Sequence, residues 1–135
     1  MELIWKHATE LLLLLFLIIT FIQSSLDKVL DWKGNLSWLK GHFSKTPFRN
    51  SVPFLLGSIM ITELLAGILC SFGFYLLCAT GGTSVALWGA IVSCMALLML
   101  FLGQRVAKDY DGARTIAIYF VPAVFLVFLL QGGQA

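Results

Sequence analysis

Charge is what this 135-residue sequence has least of. Only 12% of its residues are Asp, Glu, Lys or Arg, against roughly 25% in soluble domains. Histidine occurs twice, at His7 and His42. A haem held by two histidines is therefore disfavoured, because the first apolar segment separates them to opposite ends. The three cysteines, Cys70, Cys78 and Cys94, form no CxxC pair and lie inside apolar runs, which removes the usual signature of thiol redox or zinc chemistry. Cys70 and Cys78 share a helical face, but about 12 Å of axial separation forbids a disulfide between them. No nucleotide fingerprint, metalloprotease motif or nucleophile elbow is present, and no His, Cys and carboxylate set has metal-ligand spacing. A catalytic constellation is thus missing, and the chain does not read as an enzyme on its own.

What remains is hydrocarbon. Hydrophobic residues make up 59% of the chain, and the mean hydropathy of +0.93 fits a polytopic membrane protein. Net charge is +2, with the basic residues dispersed among aromatics. That pattern argues against nucleic acid as a partner and for membrane lipids. The length allows one domain, residues 1–135. About twenty apolar residues cross a bilayer core, and four segments are long enough: residues 4–26, 52–79, 84–102 and 113–130. The expected fold is an all-α, four-transmembrane-helix bundle of up-down type. The run Leu11 to Ile22 is read as a retained helix and not a signal peptide, since Glu2 and Glu10 dilute the basic flank and no small-x-small cleavage site follows. Pro122 should interrupt the last span by freeing the Ile118 carbonyl.

Between the first two spans, Trp32, Leu36, Leu39 and Phe43 recur at helical spacing with Lys33, Ser37, Lys40 and Ser44 between them. This predicts a short interfacial amphipathic helix within 32–46, capped by Asn35 and ended before Pro47. Trp32 and Trp38 suit the headgroup level, as does Arg105 at the end of the third span. The two long loops hold Lys28, Lys33, Lys40, Lys45, Arg49, Arg105, Lys108 and Arg114, whereas the other side has only Lys6. Cytoplasmic loops are richer in Lys and Arg, so both termini are expected on the non-cytoplasmic side.

Glu63 is the anomaly. It lies inside the apolar stretch Val52 to Ala79, where a charge costs at least ~3 kcal/mol on insertion scales. Such residues face a protein interior or a water-filled cavity. Counting about 1.5 Å per residue from the loop-one end puts Gln23 and Ser24 near its depth, with Asp27 and Lys28 higher on the same polar stripe of helix one. Lys28 can act as counter-ion by reaching inward. These five residues are the candidate pocket, which suits a quinone oxygen or a lipid headgroup. Ser58, Thr62, Ala66 and Cys70 on the second span, and Gly89 and Ser93 on the third, are small residues that permit close helix approach.

Two motifs, Ser24-Ser25-Leu26-Asp27-Lys28 and Glu63-Leu64-Leu65-Ala66-Gly67-Ile68-Leu69, resemble those of the DoxX-like family of small four-helix bacterial membrane proteins. The chain departs from the family in its longer, Trp-rich first loop. The resemblance implies a multi-pass protein of the bacterial inner membrane linked to redox chemistry, some relatives being subunits of thiosulfate:quinone oxidoreductase. The family's polar positions carry over only to Lys28 and Glu63. The favoured reading is an accessory or structural subunit within a larger, redox-related membrane complex, with other membrane subunits as partners and no covalently bound cofactor. The alternative is a quinone- or lipid-binding redox subunit using the pocket around Glu63. A small transporter is a third reading, but the two halves show no repeat.

Overall fold

The long apolar runs become helices because a backbone inside hydrocarbon must satisfy its own hydrogen bonds. A computed structural model describes residues 2–132. In chain order the helices are α1 (Glu2–Lys6), α2 (Ala8–Leu30), α3 (Trp32–His42), α4 (Val52–Thr80), α5 (Ser84–Val106) and α6 (Tyr110–Gly132). Helices α2, α4, α5 and α6 are each long and apolar enough to cross a membrane. The expected all-α, four-span bundle is therefore observed, and the chain is a multi-pass membrane protein by its helices. α2 packs on α4, α4 on α5 and α5 on α6, while α6 returns to α2 more lightly.

Differences from expectation lie at the ends. The first span is two helices that break at His7, whose Nδ1 lies 2.8 Å from Glu10 Oε2. α2 continues to Leu30, and α5 to Val106, beyond the apolar runs. Helical hydrogen bonding does not stop where hydrocarbon stops, so polar last turns extend past it. α6 runs from Tyr110 to Gly132 with Pro122 inside it, so the proline removes the N–H that Ile118 would accept from without ending the helix. Arg114 lies on α6 and not in the preceding loop. α3 is capped by Asp31, whose side chain accepts from the Gly34 N–H at 3.3 Å. Asn35, expected as the cap, instead donates to the carbonyls of Asp31 (2.8 Å) and Asp27 (3.4 Å), fastening α3 to the end of α2.

Punctuation between the spans follows known chemistry. Pro53 sits in the first turn of α4 and Gly81 ends that helix at φ 76°, the left-handed conformation glycine adopts at least cost. α5 closes in a Schellman motif, with Asp109 N donating to Gln104 O and Lys108 N to Arg105 O. Lys108 occupies the left-handed position at φ 61°, which costs a residue with a Cβ about 1 kcal/mol.

Inside the bundle, α2 contributes Leu11, Leu14, Leu17, Phe21 and Ser25 at three- and four-residue spacing. α4 and α5 meet through small residues. A Cβ on Gly73 would stand 2.5 Å from the Ala86 Cα, and one on Gly89 would stand 2.9 Å from the Cys70 amide nitrogen. Of the small residues expected to pack, Ala66, Cys70, Gly89 and Ser93 are buried and Ser58 and Thr62 half-buried, and Cys70 Sγ and Ser93 Oγ lie 3.6 Å apart between α4 and α5. The outer faces are apolar and exposed, including Leu12, Ile61, Ile68, Phe72 and Phe128. Faces of that kind suit contact with membrane lipid.

Candidate functional site

Lys28 reaches Glu63 because it continues the buried stripe of α2. Leu14, Leu17, Phe21 and Ser25 face inward, and the next step of three residues is Lys28. Its Nζ lies 2.8 Å from Glu63 Oε1, with side chains 15% and 2% exposed respectively. The Lys28 ammonium also donates to Ser24 Oγ at 2.7 Å. Oε1 has no donor aligned for a hydrogen bond, so its attraction to Lys28 is chiefly coulombic. Removing either partner of a buried pair leaves an uncompensated charge. The pair therefore ties α2 to α4, one turn from the place where Gly67 lies against Ile22.

The structure divides the predicted pocket residues. Lys28, Ser24 and Glu63 come together, with Lys28 as the residue that Ser24 and Glu63 both contact. Gln23 and Asp27 do not join them. Both are exposed and line a shallow groove on the outer face of α2 with Ile19, Ile22, Leu26 and Leu30. The reason is helical phase: depth along the axis matched Glu63, but at 100° per residue Gln23 points away from the stripe through Phe21 and Ser25.

Next to Lys28, a cavity of about 310 Å³ lies beneath α3, between the start of α4 and the end of α5. α3 supplies Asn35, Trp38, Leu39, His42 and Phe43; α4 supplies Val52, Leu55, Leu56 and Ile59; α5 supplies Met99, Leu100, Leu102, Gly103 and Gln104. Phe48 and Lys28 complete the wall. Glu63, one turn deeper than Ile59, is not part of that wall. It stands behind Lys28, its partner at 2.8 Å.

The roof is pinned by a contact the sequence reading did not find. His42 Nε2 lies 3.0 Å from Gln104 Oε1 and 3.7 Å from Asp109 Oδ2. An amide oxygen only accepts, so Nε2 is the donor there. Trp38 stacks on the His42 ring at 4.6 Å, and Phe43 packs over Gly103. Asp109 also accepts from the Gly112 N–H at the start of α6. The only signal available beforehand was that His42 falls three residues after Leu39, on the apolar side of α3.

Of the interfacial candidates, Trp38 is 61% exposed although it also lines the cavity. Trp32 is half-buried with its ring near Gly57, and Arg105 is exposed over the Tyr110 ring at 4.9 Å. Among the described residues, no three His, Cys, Asp or Glu side chains group as metal ligands. A mostly apolar cavity with one lysine in its wall can take up a small amphiphile and orient it by a polar atom. No family model, curated protein or solved structure matches the chain.

Proposed function

We propose that this chain is a small DoxX-like subunit of the bacterial inner membrane, with both termini on the non-cytoplasmic side. Its work is to hold an amphiphile, a quinone or a membrane lipid, in the cavity beneath α3. The observation that carries this reading is that cavity: about 310 Å³ of mostly apolar wall that includes Lys28. Pockets for small ligands start at about 300 Å³ and use few polar groups in apolar walls, so a ring or a single chain is the right size of occupant. In this reading Lys28 is the polar anchor and Glu63 its counter-ion.

The test is purification in mild detergent followed by extraction and identification of bound quinones and lipids, for the native chain and for Leu55→Trp, which puts an indole into the cavity. The native chain should retain one class of amphiphile in near-stoichiometric amount, and Leu55→Trp should lose most of it. Equal retention by both proteins would overturn the cavity as its place.

A second reading, the accessory subunit of a larger redox-related assembly, is supported by α6. Ile118, Val121, Phe125 and Phe128 form one exposed stripe at spacings of three, four and three, a pattern that suits a partner helix. The same purification tests it. Co-purifying membrane subunits are the expected result, and a monodisperse lone chain would reject it.

A further inference from the structure

The charge arrangement beside the cavity specifies what kind of polar group it accepts. Resting on the cavity reading above, we infer that the occupant is an electrically neutral, single-chain or single-ring amphiphile whose polar end is a hydrogen-bond-accepting oxygen, held by Lys28 and screened for charge by Glu63.

Lys28 is a cavity-lining cation that already has its counter-charge at 2.8 Å. Ser24 Oγ takes one of its N–H donors at 2.7 Å. An ammonium carries three donors and no acceptor; beside Glu63 and Ser24 Oγ, its third acceptor is the Ser24 carbonyl at 3.5 Å, a long contact that a ligand oxygen would replace. Of the other polar wall residues, His42 Nε2 is bonded to Gln104 Oε1 and Asn35 Nδ2 donates to the end of α2.

Consider each class of headgroup in turn. A carboxylate or phosphate approaching Lys28 would share its ammonium with Glu63, which is 2% exposed. Two anions on one cation in a low-dielectric site repel. An amine would meet the ammonium directly and offer it no acceptor when protonated. A carbonyl, ether or hydroxyl oxygen accepts from Lys28 in place of the Ser24 carbonyl and leaves the pair balanced. The apolar walls, including Leu55, Ile59, Met99 and Leu102, take the rest of the molecule.

Glu63 is therefore a specificity-determining residue that acts through Lys28, and its removal should reverse the preference. The experiment uses three probes with equal chain length: 2-decanone, decanoate and decylamine. Binding to the full-length protein in a neutral detergent is followed by saturation-transfer NMR, with each probe corrected for its partition into empty micelles. The native chain should bind 2-decanone at least about tenfold more tightly than either charged probe, a margin of ~1.4 kcal/mol. Glu63→Gln, which frees the Lys28 charge, should bind decanoate more tightly than 2-decanone. A native chain that prefers decanoate or decylamine, or that takes all three equally, overturns the neutral-ligand inference and leaves the cavity reading standing. No binding of any probe overturns both. If Glu63→Gln does not fold, the native ranking alone decides.

Discussion

The α4–α5 hairpin is built in two different ways along its length. At the end that carries the Gly81 turn, Gly73 lies on Ala86 and Gly89 lies on the Cys70 backbone, so the two helices touch main chain to main chain. At the other end Val52, Leu55, Leu56, Met99 and Leu100 line a partly open cavity of about 310 Å³ beneath α3. Small residues seal and large ones hold apart. Apolar attraction between helices is weak in lipid, so close packing of small residues supplies most of the adhesion at the sealed end. The open end relies on different ties: the Lys28–Glu63 ion pair between α2 and α4, and the His42–Gln104 hydrogen bond between α3 and α5.

Breaking the ion pair should have the largest effect. Lys28→Ala strands Glu63 without its counter-charge and should cost about 3–5 kcal/mol of unfolding free energy in mixed micelles. Replacing both residues together, Lys28→Leu with Glu63→Leu, should recover most of that loss. A double variant as unstable as the single one would show that the pair is not what ties α2 to α4.

Enlarging one residue at each end compares the two designs directly. Gly89→Val drives a branched side chain into the Cys70 backbone and should cost about 2–3 kcal/mol by overpacking. Leu55→Trp grows into existing space and should cost under about 1 kcal/mol, since filling a void does not force the backbone apart. Equal costs in the same unfolding assay would erase the distinction between a sealed end and an open one.

The smallest effect should come from the roof. His42→Ala removes the Gln104 hydrogen bond, worth about 1 kcal/mol, together with the Trp38 ring stack. Amide hydrogen exchange across α3 should accelerate while the amides around Gly73 and Gly89 keep their rates. Unchanged exchange in α3 would mean that Asn35 and the Phe43 packing hold the roof unaided.

The sequence reading and the structure agree where the physics is one-dimensional. Apolar length alone locates α4 and α5, because transfer into lipid depends on composition and span. Glu63 announces itself for the same reason. The choice among its neighbours needed a second dimension, the angle around α2, and there depth matched Gln23 while phase selected Lys28. Reading Phe21, Ser25 and Lys28 as one stripe would have separated them. The cap of α3 turned on one residue, since Asp31 and Asn35 are both good caps and only the true start at Trp32 decides. The His42–Gln104 bond joins residues 62 positions apart, and the cavity draws its wall from four helices, α2 to α5. Neither leaves a local pattern to read.

The closeness of Lys28 to Glu63 also has an electrical consequence. One elementary charge moved fully across a membrane at 100 mV exchanges about 2.3 kcal/mol with the field. The paired charges stand 2.8 Å apart across a hydrocarbon core about 30 Å thick. Even aligned with the field, the pair would exchange only about 0.2 kcal/mol per 100 mV. A solitary glutamate at that depth would make the fold respond to the resting potential, whereas the paired one lets the bundle stand in an energised membrane almost indifferent to voltage.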